Sequence, residues 1–209
     1  LNAVYLFERC FTNADNGGMS TASSSQPDRR AAQQQERAAR IREAARAILA
    51  ARGPDALTIR AVAAEAGYVA GSVYSYFPSK EALLASLVAD ELDRLAQELR
   101  SLPADLDARA GRTLETLREQ VPLLMAARRG DIPEAMERAL TGRIIAVLRA
   151  LDAARGGDAP GGGDRAHETV ALWSGLAGIA LLSGSGRLAS LDMGEDRVLA
   201  SLLSRFRGA

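Results

Sequence analysis

The stretch Thr58-Ile-Arg-Ala-Val-Ala-Ala-Glu-Ala-Gly-Tyr-Val-Ala-Gly-Ser-Val-Tyr-Ser-Tyr-Phe-Pro-Ser-Lys-Glu81 decides how this chain folds. It reads as two short helices joined by a tight turn. Thr58 caps the first helix by accepting a hydrogen bond from an orphan backbone N–H. Ile59, Val62, Ala63 and Ala66 then fall on one face at helical spacing. Gly67 supplies the left-handed residue that ends the helix, and the small Ala63 lets a second helix cross closely. Val73 and Phe77, four apart, turn that second helix inward and leave Ser72, Tyr74, Ser75 and Tyr76 outside. Pro78-Ser79 stops it and starts the next. Helix, turn and helix in this order make the unit whose second helix enters the major groove of DNA.

The flanking sequence extends the helical reading. Before the motif, Ile41, Ala44, Ala45, Ile48 and Leu49 mark one face of a helix from about Ala32 to Arg52, closed by Gly53-Pro54. After it, Leu83, Leu84, Leu87, Val88, Leu92, Leu95 and Leu99 give a long helix from Ser79 to about Ser101. Five more helices follow: Asp105 to Gln120, Pro122 to Arg128, Asp131 to Leu151, Asp164 to Ser183 and Glu195 to Phe206. Between them, residues 156–163 read as a flexible loop and residues 184–194 as a linker with little order. The expectation is an all-α chain of about nine helices. Residues 1–34 form a disordered tail, residues 35–95 a helix-turn-helix domain with its motif at 58–77, and residues 96–209 a second helical domain.

Composition bounds the function classes. Of 209 residues, 47% are apolar and only 4% aromatic, so the core is aliphatic and Ala-rich, which favours helices. Net charge is zero but uneven: residues 28–80 carry nine basic and five acidic side chains, residues 81–209 sixteen and nineteen. A basic head on a mildly acidic body suits a domain that meets phosphate. One cysteine, Cys10, excludes a disulfide within the chain, and with the single His167 it excludes a Cys- or His-rich metal site. No Gly-rich phosphate loop or Gly-x-Ser-x-Gly elbow is present, so no catalytic, metal or cofactor site is expected and the enzyme reading fails. The longest uncharged run, Thr169 to Gly186, is diluted by Gly and Ser and reads as a buried helix rather than a membrane span. Leu1 to Cys10 lacks a basic start and a small-residue cleavage site, and a cytoplasmic location is expected. Met19 is a natural translational start with Leu1 to Gly18 upstream of it.

The order TIRAVAAEAG then GSVYSYFPSKEALL, from about Glu36 to Ala96, is similar to the amino-terminal domain of the tetracycline-repressor (TetR) family of bacterial transcriptional regulators. That resemblance implies an all-α homodimer that binds a near-palindromic duplex operator. A carboxy-terminal domain would take a small molecule that releases the operator. An effector-independent architectural DNA-binding protein is the alternative. The segment Leu172 to Leu182 also resembles the tryptophan-histidine-glycine motif of one branch of the family's carboxy-terminal domains. Trp173 and Gly178 match it, and Ala177 replaces the histidine.

The DNA-contacting residues that follow are Thr58, Arg60, Ala70, Gly71, Ser72, Tyr74, Ser75, Tyr76 and Lys80. The resemblance makes Arg60 a phosphate-binding cation, and Thr58 either a cap alone or a cap that also reaches phosphate. Tyr74 points its phenol at the groove or the DNA backbone, whereas Tyr76 either does the same or is half-buried. Lys80 sits where its ammonium and helix N-terminal N–H groups share one phosphate. Val69 and Ala70 depart from the family, which often has Ser or Thr and a polar residue there. Reading from that end rests on methyl contacts and on close approach at Gly71.

For the body, Leu117, Leu124, Met125, Ile144, Leu148, Trp173 and Ala177 are the candidate lining of an effector cavity, with Leu114 beside them. Few charges fall inside the apolar stripes, so a small, mostly apolar effector is expected. Arg118, Arg128 and Arg129 are available to an anionic end. Leu172, Leu176, Ile179 and Leu181, with Gly175 and Gly178 between them, predict that the 164–183 and 195–206 helices pair with their copies in a four-helix interface.

Overall fold

The computed structural model describes residues 26–128, 130, 132–155 and 163–206. Among them the regular structure is helical throughout, with nine α-helices and two short 3-10 turns. They are α1 Gln26–Arg52, α2 Ile59–Ala66, α3 Ala70–Tyr74, α4 Lys80–Ser101, α5 Leu106–Ala127, α6 Glu134–Asp152, α7 Gly163–Gly184, α8 Arg187–Ser190 and α9 Glu195–Ser204. Side-chain caps hold three of their starts: Thr58, Ser79 and Asp105 accept from the N–H three residues on, at 3.0–3.1 Å.

Two apolar cores form, and α4 belongs to both. Ile41, Ile48, Leu57, Val62, Val73 and Phe77 pack with Leu83, Leu84 and Leu87 of α4 to make the head core. One turn on, Leu92, Leu95 and Leu99 of α4 join Leu114, Leu151, Leu172 and Leu176 in the body core. α4 lies against α5 and α6, α5 against α7, and α7 against α9. All seven residues of the apolar stripe expected on α4 are buried.

Polar locks fasten the body. Asp152, at the end of α6, accepts from Arg165 Nε at 2.7 Å and from the buried Thr169 hydroxyl at 3.1 Å, both on α7. Arg155 pairs with Glu168, and its guanidinium lies 5.5 Å from the centre of the Phe206 ring. Arg109 on α5, only 6% exposed, donates to carbonyls at the ends of both α4 and α6.

Three features differ from the sequence expectation. α1 begins at Gln26, six residues before Ala32, so the last residues assigned to the tail are helical. Residues 29–37 are exposed, so propensity rather than burial extends the helix, and no stripe marks its start. Residues 1–25, with Cys10 and Met19, lie outside the described residues, as do Asp131, the expected cap of the helix that begins at Glu134, and residues 156–162. The two helices expected at 105–120 and 122–128 are one, with Pro122 inside α5. Proline removes one backbone bond there, but Leu117, Leu124 and Ala127 continue the packed face across it. The expected linker at 184–194 instead contains α8, whose Leu188 is 5% exposed and anchors it to the body core. The expected count of nine is reached, with one helix merged and another gained.

The interface expectation is corrected in part. Leu172, Leu176 and Ile179 are buried in their own chain, at 0%, 0% and 5% exposure, because α7 packs on α5 and α9. A Cβ on Gly175 would stand 2.7 Å from both methyls of Leu202, so this glycine serves the crossing of α7 and α9 within one chain. The outward apolar residues of α7 are Val170 and Leu181, at 41% and 45% exposure.

Candidate nucleic-acid interface

The turn between α2 and α3 is built on Gly67, whose φ of 73° and ψ of 31° place it in the left-handed region. Tyr68 N–H then bonds Ala63 O at 2.8 Å and Gly67 N–H bonds Ala64 O at 3.3 Å, so the last carbonyls of α2 are satisfied. Ile59, Val62 and Ala63 face inward, and Arg60 is exposed in the first turn. α3 starts at Val69, which offers no side-chain cap and is 72% exposed. Val73 and Phe77, at 0% and 2% exposure, pin the helix to the head core. That fixes which face of α3 points away from the protein.

On that outer face, Gly71, Ser72, Tyr74 and Ser75 are exposed, while Ala70 is half-buried. Nothing lies within 4 Å of where a Gly71 Cβ would be, so the backbone there is open to close approach. Tyr74 is 52% exposed with its phenol outside the core. The Ser75 hydroxyl donates to Ser72 O at 2.7 Å, which leaves its oxygen as an acceptor and Ser72 as the freer donor of the two. Thr58 accepts from Ala61 N–H at 3.1 Å, and its residue remains exposed. Lys80 Nζ donates to Pro54 O at 3.2 Å, bridging the start of α4 and the turn after α1, with two ammonium protons left over.

Tyr76 takes the half-buried of its two alternatives, packed against the head core. Hydrogen bonding by its phenol raises the Arg37 guanidinium above its ordinary pKa. Arg37 was not anticipated from the sequence. It lies on the part of α1 that is polar all round, where no periodicity says which side chain faces the motif.

The body candidates are dispersed through the core. Leu117 and Leu148 are buried at 3% and 4% exposure, Leu124, Ile144, Trp173 and Ala177 are partly buried against the same core, and Met125 is 54% exposed. A pocket of about 530 Å3 lies elsewhere, where the head meets the body, and none of these residues lines it. Of the arginines held available for an anion, Arg118 pairs with Glu195 and Arg128 approaches Glu137 at 3.8 Å, while Arg129 lies outside the described residues. Among the described residues no helix is long and apolar enough to cross a membrane.

Residues 41–87 match the family model of bacterial regulatory proteins, tetR family. Over 62 residues, 30% of this chain, the sequence is 44% identical to the HTH-type transcriptional repressor KstR of Rhodococcus jostii. KstR repressors of Mycolicibacterium smegmatis and Mycobacterium tuberculosis match equally well, and the chain spans 28–30% of the length of these curated relatives. Among solved structures, the SCO4313 protein superposes with a TM-score of 0.61 at 20% identity, over 86% of this chain and 98% of that one. The transcriptional regulator FadR of Bacillus subtilis, solved in complex with stearoyl-CoA, gives 0.53 at 14% identity, over 81% and 97%. The family-model match lies within the head, whereas the structural likeness covers most of the chain. Residues 41–87 therefore match the TetR-family helix-turn-helix, within an overall fold that is TetR-like.

Proposed function

We propose that this protein is a one-component transcriptional repressor rather than an enzyme. As a cytoplasmic homodimer it binds a near-palindromic operator and leaves it when a small-molecule effector binds. The observation that carries this reading is the outer face of α3, where Gly71, Ser72, Tyr74 and Ser75 stand clear while Val73 and Phe77 anchor the helix. Arg60 and Lys80 flank that face, which suits phosphates on either side of a groove. The matched relatives are named as repressors, and the family-model match at residues 41–87 covers this same segment. Heads about one helical turn apart, roughly 34–36 Å, would meet two half-sites.

The body supplies the remaining functions in this reading. Val170 and Leu181, eleven residues apart on α7 and exposed, suit pairing with a second copy. Leu117, Leu124, Met125, Ile144, Leu148, Trp173 and Ala177 are the residues we assign to a mostly apolar effector. The Trp173 and Gly178 spacing supports placing the body in the tryptophan-histidine-glycine branch. FadR was solved with an acyl-CoA, which is in keeping with an apolar effector.

The test is selection of a binding sequence from random duplexes, followed by fluorescence anisotropy on the selected fragment. Tyr74→Ala should weaken binding to it about tenfold or more, the scale of one lost base contact. Lys80→Ala should weaken binding to all sequences and reduce the salt slope by about one, or roughly 3.5-fold less affinity lost between 50 and 200 mM salt. Parent-like binding by both variants would remove this surface from the interface.

A further inference from the structure

The pocket at the junction of head and body has a wall from each: α1 of the head, α5 of the body, and α4 between them. Its apolar part is aliphatic, from Leu49, Leu87 and Leu123. Its polar part holds Arg46, Glu91, Arg94, Glu119 and Gln120.

The charges divide unevenly between paired and free. Arg46 donates from Nη2 to Asp90 at 2.7 Å, and its Nε faces Glu91 at 3.6 Å. Arg94 lies 3.1 Å from the other oxygen of Glu91. Both cations of the pocket are therefore ion-paired by the protein, Asp90 being shared with Arg42, although Arg46 Nε is buried without a hydrogen bond. Among the described residues Glu119 has no cationic partner and is exposed. Gln120, beside it in sequence, is only 7% exposed, and its Oε1 is buried without a hydrogen-bond partner. An unpaired buried acceptor is unfavourable, and a rotation of the carboxamide toward a donor relieves it. What α5 leaves unmet in the pocket is thus a negative charge and a hydrogen-bond acceptor, next to aliphatic surface, while α1 leaves the one Arg46 N–H.

From this we infer that the junction pocket binds a small amphipathic amine, with its ammonium against Glu119 and Gln120 and its aliphatic chain along Leu49, Leu87 and Leu123. A carboxylate head would meet the like charge of Glu119, and the arginine charges are already paired with Asp90 and Glu91. An amine seated there touches head and body at once, so its affinity depends on how the head is set on α4. By reciprocity the amine then alters DNA affinity. That regulatory consequence rests on the repressor reading; the binding site itself does not.

The experiment is calorimetric titration of the full chain with octylamine, octanol and octanoate, three probes with one chain length and different heads. Octylamine should bind once per chain and most tightly, and octanoate most weakly. Glu119→Gln should weaken octylamine about tenfold while leaving octanol unchanged. Ala50→Trp adds a ring at an exposed lining position without entering the core, and should abolish binding of octylamine with thermal unfolding unchanged. No binding by any probe, or octylamine binding indifferent to Ala50→Trp, overturns the site; preference for octanoate overturns the assignment of its head group. A chain that binds octylamine as described but selects no DNA sequence would refute the repressor reading and leave the pocket standing.

Discussion

Replacing Arg109 by Met should cost the body much of its stability, and the structure sets the size of the loss. The guanidinium is 6% exposed and bonds three carbonyls: Pro103 O from Nε at 3.0 Å, Leu102 O from Nη2 at 2.8 Å, and Ala150 O from Nη1 at 2.5 Å. Leu102 caps the end of α4, and Ala150 lies in the last turn of α6, so a positive charge sits where two helices present their negative ends. Hydrogen bonds to a charged group contribute about 1.5–3 kcal/mol each. Burying the guanidinium costs several kcal/mol in desolvation, and water can reach the two partly buried carbonyls once the side chain is gone. The net loss should be about 2–4 kcal/mol, against roughly 5–15 kcal/mol for a typical folded chain. With a urea dependence of about 2 kcal/mol per molar, the unfolding midpoint should fall by about 1–2 M. Arg109→Lys should recover less than half, since one ammonium cannot span both helix ends as the fork does. If Arg109→Met unfolds within about 0.5 kcal/mol of the parent, the well-solvated-surface range, the clamp between α4 and α6 is not a stabilising element.

Three further outcomes follow from local geometry. Thr58→Ala removes the α2 cap that Ala61 N–H uses and should cost about 1 kcal/mol in urea unfolding. Gly178→Ala has open space and should gain up to about 1 kcal/mol of helix propensity. Gly175→Ala meets Leu202 and should lose that gain to overpacking of about 1–3 kcal/mol, so calorimetric Tm values should rank the two variants in that order. Leu181→Glu combined with Val170→Glu should yield sedimenting monomers that keep parent-like helical content by circular dichroism, whereas Leu176→Glu, at a position with no exposure, should lower the Tm whatever the assembly state.

The motif was legible because each of its parts obeys a rule that acts within a few residues. Thr58 caps because it precedes an apolar period, Gly67 turns left because only glycine does so without strain, and Val73 and Phe77 face inward because they stand four apart. The long stripe of α4 was readable for the same reason. Where local rules conflict or fall silent, packing across distant segments decided the result. Pro122 reads as a helix start, but the body core on Leu117 and Leu124 and the head core on Ala127 keep α5 whole through it. Gly and Ser around Leu188 read as a linker, but the core pocket for that one leucine orders a helical turn. The facing of α7 was undecidable from its sequence, since Leu, Ile, Ala and Gly surround the whole helix; α5 and α9 claimed Leu172, Leu176 and Ile179 and left Val170 and Leu181 outside. The junction pocket was equally invisible, because its walls are brought together from residues more than seventy positions apart. A sequence states the preferences of neighbours along the chain, but burial is a property of the surface another segment covers, and that is set only when the tertiary fold chooses the neighbour.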